Sequence, residues 1–239
     1  MIPRIIHYCW FGRSDIPELA CHCIETWHKY MPDYEFRFWN EDVFDINQIP
    51  YTKEAYQAKK FAFVSDYVRL LALEQEGGIY MDVDFEVYKP FDDLLNYKAF
   101  AGFEGSKHSP LMMGVIASEP HGVWVTEQRE AYLDRRFFTS DGRMDLTTNV
   151  EFISARMRKE GFVQNGKEQD YKDLHIFPVD YFCPQQTSGE FIKTENTYCN
   201  HRGLDSWSDK NGGWKSFILN LIGKENRIKI IKIKRKLLG

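Results

Sequence analysis

No run in this 239-residue chain approaches the roughly twenty apolar residues that a bilayer-crossing helix needs. The opening residues show neither a charged leader nor an apolar h-region, so a soluble, cytoplasmic protein is expected. Cysteine is sparse and poorly placed for metal or disulfide work. The five thiols (Cys9, Cys21, Cys23, Cys183, Cys199) make an odd count with no C-x-x-C pair. On a helix, Cys21, His22 and Cys23 point in different directions, and no second ligand pair follows at zinc-site spacing. Reduced thiols are the expectation. Internal repeats and low-complexity stretches are absent too. The glycine-rich basic loop expected near the start of a triphosphate-binding chain has only a poor counterpart in WFGRSD.

Basic charge is scarce over most of the chain. Residues 215–239 hold eight Lys or Arg against one acid, so this tail carries +7 and the preceding body −11 within an overall −4. A body this acidic argues against a nucleic-acid partner, whereas the tail suits an anionic surface. From Trp214 onward, Ile and Leu alternate closely with Lys and Arg. That composition fits an amphipathic element lying on a membrane, or a final helix packed on the domain with its basic face solvated. The expected division is a domain over 1–213 and a basic amphipathic segment over 214–239.

What is present is an ordinary globular composition, 43% hydrophobic and 28% charged, with 15% aromatics. The chain order alternates: a strand over Arg4–Trp10, a helix over Pro17–Met31, a strand over Tyr34–Trp39 and a turn opened by Asn40. After the central segment come strands at Ala99–Glu104 and Leu111–Ser118, then a helix over His121–Arg135. A helix capped at Thr148 and a strand-like Leu174–Phe182 interrupted by Pro178 follow. This pattern predicts an α/β fold built by crossovers, a mixed sheet flanked by helices. Trp10, at the end of the first strand and followed by Phe11-Gly12, is either a ligand edge or a core aromatic.

The organising stretch is KFAFVSDYVRLLALEQEGGIYMDVDFEVYKP, residues 60–90. Phe61, Val64, Val68 and Leu71 form a helical stripe, Asp66 and Arg69 share a face, and Gly77-Gly78 supplies the stop. Strand spacing follows: Ile79, Met81, Val83, Phe85 and Val87 on one face, Tyr80, Asp82, Asp84 and Glu86 on the other. A continuous strand would project Asp82 and Asp84 the same way, roughly 6 to 7 Å apart. Two carboxylates so placed repel unless a cation or proton lies between them, and hard oxygen donors suit Mn2+ or Mg2+. A merely solvated acidic face is the competing account. An intrahelical ion pair is the corresponding one for Asp66 and Arg69.

With these residues in view, the chain resembles the DXD-containing sugar transferases, family 32 of the sequence-based glycosyltransferase classification. Its likeness is greatest to bacterial capsular or surface-polysaccharide enzymes. The resemblance rests on IPRIIHYCWFG, PELACHCIETWHKYMPDYEF, the combined S-D-x-x-R, G-G-I-Y and D-x-D spacing, and the late His201…Ser206-Trp207. It is close over about the first hundred residues and looser beyond. It implies a GT-A-type, Rossmann-like fold, a nucleotide-sugar donor (UDP- or GDP-hexose), a divalent cation, and retention at the anomeric carbon. Carried over, it places Asp82 on the donor ribose and the metal, Asp84 on the metal, and Asp66 and Arg69 on the sugar hydroxyls. Trp10 falls against the nucleobase, and His201 (as a metal ligand), Ser206 and Trp207 in a loop closing over the diphosphate.

The expected activity is therefore hexose transfer to a polysaccharide or lipid-linked glycan at the inner face of the membrane. With no covalent nucleophile evident, the acceptor hydroxyl would attack on the leaving group's own face. A nucleotidyltransferase that makes the nucleotide sugar, or an inactive sugar- or metal-binding module, are the alternatives.

Overall fold

A computed structural model describes residues 1–105, 110–184 and 191–204. They fall within one compact unit, Met1–Leu204. Ser206, Trp207, the 213/214 boundary and the basic tail lie outside the described residues.

The main sheet has seven strands: β1 (Ile5–Cys9), β2 (Glu35–Trp39), β3 (Gly78–Met81), β5 (Ala99–Phe103), β6 (Leu111–Ser118), β7 (Gln169–Tyr171) and β8 (Leu174–Phe177). Their order is β2-β1-β3-β6-β5-β8-β7. β1 pairs in parallel with both β2 and β3, β5 pairs in parallel with β8, and β6 runs antiparallel between β3 and β5. All eight residues of β6 are buried, as a strand covered on both faces requires. The expected mixed α/β sheet is the one observed. A second, two-stranded antiparallel sheet joins β4 (Phe85–Val87) to β9 (Cys199–His201).

Helices cover both faces. α1 (Glu18–Tyr30) buries Ala20, Cys23 and Trp27. The Trp27 indole donates to the Phe85 carbonyl at 2.6 Å, and the Val87 N–H donates to Thr26 Oγ1 at 2.9 Å, tying α1 to β4. α3 (Phe61–Glu76) is buried well beyond the predicted stripe, from Phe63 through Glu74 except Ser65. α2 (Pro50–Gln57) was not expected from periodicity, although Pro50 occupies its first turn. α4 (Val123–Glu130) is shorter than predicted. Its first two N–H groups, at Val123 and Trp124, donate to the Asp173 carboxylate. α5 (Asn149–Lys159) begins with the expected Thr148 cap, closed reciprocally by Glu151 as a capping box. After Pro178 the strand-like stretch becomes a short helix, α6 (Val179–Phe182), rather than continuing as strand.

The largest departure from expectation lies in the central segment. Ile79 and Met81 do face one core cluster and Tyr80 the other, so period-two alternation holds through β3. It ends there. Asp82, Val83 and Asp84 form a turn: the Asp82 N–H donates to the Gly114 carbonyl at 2.8 Å, and the Phe85 N–H closes back on the Asp82 carbonyl at 3.1 Å. β4 then pairs with β9 instead of β6. A continued strand would have carried two carboxylates into a doubly covered sheet at a desolvation cost of several kcal/mol each. The turn leaves both at the sheet's edge.

The Gly77-Gly78 stop behaves as predicted, with positive φ at both residues. Buried His7 holds it: the Trp39 indole donates to Nδ1 at 3.0 Å, which leaves Nε2 to donate to the Gly77 carbonyl at 2.8 Å. Burial keeps this imidazole neutral by lowering its pKa.

Candidate donor and metal site

The carboxyl ends of β1 and β3 lie side by side, the edge of an α/β sheet where ligands bind. Ile6 pairs with Ile79 and His7 with Tyr80, so β3 and β1 end on the same side of the sheet, at Met81 and Cys9. Trp10 follows immediately. Its ring belongs to neither core cluster, and its indole N–H is spent on the Ser14 carbonyl at 2.8 Å, which fixes the plane of the side chain. The structure thus places Trp10 on the same edge as the D-x-D turn.

Arg69 is the hub. Its side chain is 3% exposed and sits 4.6 Å over the Tyr80 ring. It donates to Asp66 Oδ1 at 3.0 Å, to the Met113 carbonyl at 2.6 Å and, more loosely, to Asp82 at 3.4 Å. The Tyr80 hydroxyl donates to the other Asp82 oxygen at 2.7 Å. The predicted Asp66–Arg69 ion pair exists, but it is buried and continues to the first aspartate of D-x-D. Burial opposes Arg69's charge, and Asp82, Tyr80 and Asp66 more than offset it. Burial also raises the Asp82 carboxyl, with Arg69 pulling it back down.

Asp66 has no exposed surface, and burial pushes its carboxyl up to about 7 against the pull of Arg69. This has a measurable sign. Between pH ~4 and ~7 the folded chain retains a proton at Asp66 that the unfolded chain has released, so this group's contribution to stability falls as pH rises through that window. Asp66→Asn is expected to flatten that decline, by up to about 1.4 kcal/mol per pH unit. Denaturant midpoints at pH 4, 5.5 and 7 check this; parallel pH profiles for the two proteins would contradict it.

The second aspartate has different partners. Asp84 Oδ2 accepts from His201 Nε2 at 3.0 Å and from the Leu204 N–H at 2.7 Å. Burial tends to raise its carboxyl, but the His201 hydrogen bond and charge outweigh this and leave it below the usual range. In turn Asp84, Asp82 and Glu104 raise His201 against its own burial. His201 and Arg69 thereby balance the charge of the two carboxylates. β9 pairing on β4 is what brings His201 here, with Phe85 opposite it and their rings stacked at 4.8 Å. The late segment expected as a loop is at this point a strand.

The trio assigned to metal does not converge on one point: Asp84 turns to His201, and Asp82 to Arg69 and Tyr80. Among the described residues no three His, Cys, Asp or Glu side chains stand in ligating arrangement. The donor chemistry nonetheless fits a hard divalent cation. Asp82 keeps 34% of its side chain accessible and Asp84 11%, both are oxygen donors, and His201 adds a borderline nitrogen at the same edge.

Sequence reasoning missed Tyr80's bond to Asp82, the Met113 carbonyl, Gly114 and Glu104. Glu104, at the end of β5, has a carboxyl raised by burial, lowered by His201 and raised again by Asp82. Only strand order could have revealed it. At Gly114 an added Cβ would lie 2.5 Å from the Phe85 ring and 2.8 Å from Asp82 Oδ2. Gly114→Ala is therefore expected to cost about 1–3 kcal/mol through overpacking, read as a lower urea midpoint. An unchanged midpoint would show that the turn yields freely.

The sheet order and its helices define a GT-A-type fold. The family described as "Glycosyltransferase sugar-binding region containing DXD motif" matches residues 17–101, about a third of the chain. Among curated relatives, glucan organizing enzyme 1 of Cryptococcus neoformans is 37% identical over 36% of this chain and 25% of its own length. Mannosyl phosphorylinositol ceramide synthase SUR1 of Saccharomyces cerevisiae is 30% identical over 74% of this chain and 49% of its own length. The chain thus spans a quarter to a half of these two proteins. Among solved structures, the PaToxG glycosyltransferase superposes with a TM-score of 0.51 at 20% identity, covering 67% of this chain and 70% of that one, a likeness of fold.

Proposed function

We propose that this protein transfers a hexose from a nucleotide sugar, a UDP- or GDP-hexose, to a glycan or lipid-linked acceptor, with retention at the anomeric carbon. The observation that carries this reading is the joining of S-D-x-x-R to D-x-D through Arg69, and of D-x-D to the late chain through Asp84 and His201, on one sheet edge beside Trp10. Asp82, Asp84 and His201 would hold Mn2+ or Mg2+, which supplies Lewis-acid stabilisation of the departing diphosphate. Asp82 is kept in place by Tyr80 and Arg69, so its orientation is set before any ligand arrives. Arg69 spends its planar fork on Asp66, Met113 and Asp82, and so holds Asp66 with Oδ2 as the acceptor left for the donor sugar. Trp10 offers a flat surface to the base. Ser206 and Trp207, which the family resemblance assigns to the donor, lie outside the described residues.

The acceptor is proposed to be membrane-borne, reached from the cytoplasmic face through the basic 214–239 segment. The +7 charge of the tail supports this, as does a relative named for a ceramide product. Among the described residues no helix is long and apolar enough to cross a membrane.

The test is a panel of nucleotide sugars with manganese, followed by thermal shift and by release of nucleoside diphosphate. Stabilisation by one donor, with release abolished by a chelator, is expected. Release of pyrophosphate from a nucleoside triphosphate and a sugar phosphate would instead mark a nucleotidyltransferase. Glycan binding without any donor turnover, surviving Asp84→Ala, would mark an inactive binding module. Liposome binding that is unchanged on deleting 215–239 would remove the membrane part alone.

A further inference from the structure

After α4 the chain from Phe137 to Leu146 folds back on itself as a hairpin. The Thr139 N–H donates to the Arg143 carbonyl at 2.8 Å and the Asp145 N–H to the Phe137 carbonyl at 2.7 Å, which sets Phe138 opposite Met144. Theirs is the non-hydrogen-bonded pair, the one in which opposed side chains stand closest. A turn from Thr139 to Gly142 closes the tip, with Gly142 at φ +79°. A Cβ added at Gly142 would meet nothing within 4 Å, so the tip projects into open space.

Alternation gives the hairpin two faces. On the inner one, Phe137 has no exposed surface and Asp145 accepts from buried Arg135 at 3.1 Å. On the outer one, where a merely solvated hairpin would carry polar groups, Phe138, Met144 and Leu146 are 36%, 44% and 52% exposed. Among the described residues nothing covers them.

This face lies at the D-x-D end of the sheet. α3 turns back into β3 at Gly77, so its amino end stands at the carboxyl end of that strand. Phe137 meets Phe63 of α3 at 5.0 Å. Phe63 is six residues before Arg69, hence about 9 Å farther out along the helix. α2 makes a second tie. Its Glu54 accepts from the Phe137 and Phe138 N–H groups at 2.9 and 3.2 Å. Its Tyr56 hydroxyl shares Glu41 Oε1 with the Gly12 N–H, two residues after Trp10.

Shape, size and charge narrow what the face can meet. A convex tip offers no groove to a peptide. Paired with a second copy it would bury about 500 Å², under half of the ~1,200 Å² that stable association needs. Residues 133–146 hold three arginines (Arg135, Arg136, Arg143) and three aspartates (Asp134, Asp141, Asp145), so net charge draws no partner. A lipid boundary deforms around a convex apolar tip and takes it up without net charge. Exposed Arg136 and Arg143 can extend from beside the tip to headgroup phosphates.

Resting on the reading of a membrane-borne acceptor, we propose that this hairpin is a membrane contact in its own right: Phe138, Met144 and Leu146 enter the apolar boundary of a bilayer and hold the D-x-D edge near it. Three half-exposed side chains make a weak, reversible anchor, so stable attachment takes a second signal such as the basic 214–239 segment.

The discriminating variant combines Phe138→Ser, Met144→Ser and Leu146→Ser, and Phe138→Trp is made alone beside it. Full-length protein is floated with vesicles of phosphatidylcholine, alone or with added phosphatidylserine, at low and high salt. The triple change is expected to lower partition about tenfold on both vesicles at either salt. Phe138→Trp is expected to raise it, because tryptophan favours the interface. Melting temperature and vesicle-free donor hydrolysis should match the wild type. Deleting 215–239 should act only on the anionic vesicles and fade with salt. Equal partition of wild type and triple variant would overturn the proposal. So would a triple variant that differs only in sedimenting as a lighter species, since a second copy would then own the face. If the triple variant does not fold, Phe138→Trp decides, and a partition that it leaves unraised overturns the proposal. Donor turnover beside hairpin-independent partition sinks this inference alone. Hairpin-dependent partition without donor turnover sinks the sugar-transfer reading and leaves the membrane contact standing.

Discussion

Asp84→Ala is expected to lower sugar transfer by about a thousandfold or more while leaving the chain folded. In the proposed site this carboxylate holds the cation, and a bound cation contributes several kcal/mol of charge stabilisation to a departing diphosphate. At 1.36 kcal/mol per tenfold, about 4 kcal/mol gives that loss. The structural penalty is much smaller. His201 and the Leu204 N–H lose an acceptor, His201 is 40% exposed, and the net cost is about 1 kcal/mol. Asp84→Asn, which keeps an oxygen for Leu204, should fold at least as well and be nearly as inactive. The measurement is initial-rate donor turnover with manganese, alongside urea unfolding. An Asn variant retaining a tenth of the wild-type rate would remove Asp84 from the metal.

Arg69→Ala is expected to produce the largest loss of stability of any single change near the site. It strips Asp66 Oδ1 of its partner, frees the Met113 carbonyl and uncovers the Tyr80 ring. Breaking a buried pair by removing one member typically costs about 3–5 kcal/mol, because the remaining group stays desolvated. Asp66, with no exposed surface, has no water to turn to. Arg69→Lys should recover part of the charge but not the planar fork that reaches Asp66, Met113 and Asp82 at once. Above pH ~7, where Asp66 is ionised, Arg69→Met combined with Asp66→Asn should be less damaging than Arg69→Met alone, since the orphaned charge goes with its partner. A double-mutant cycle by urea denaturation reads this directly, and strictly additive single losses would contradict the pairing.

Most of the fold was legible in the chain. The helix at 61–76, its glycine stop, the capping box at 148–151 and the strands at 99–103 and 111–118 are all local signals, and each lies where its residues predict. Asp66, Arg69, Asp82 and Asp84 stand out in the chain through their combined motif spacing and the family resemblance it carries, and the structure links Asp66 and Arg69 to Asp82. Three features were not. The end of β3 at Met81 depends on Gly114 across the sheet, which leaves room for the Asp82 turn. The strand at Cys199–His201 exists because β4 offers it an edge, and a three-residue strand carries no periodicity of its own. Tyr51 sits in a polar eight-residue helix whose only announcement is Pro50 in its first turn. Tyr51 meets Tyr132 and Phe137 through packing between elements that no linear pattern records.

The Asp84–His201 bond has a consequence for how the protein comes into being. Its two residues are 117 positions apart in the chain. Drawing together the ends of a segment that long costs on the order of 4 kcal/mol of chain entropy. A nascent polypeptide carries S-D-x-x-R and D-x-D well before β9 leaves the ribosome, and until then the second carboxylate has neither its imidazole nor the Leu204 cap. In the proposed site the second carboxylate therefore gains its partners only once β9 has been made, and fragments truncated ahead of Cys199 lack both of them.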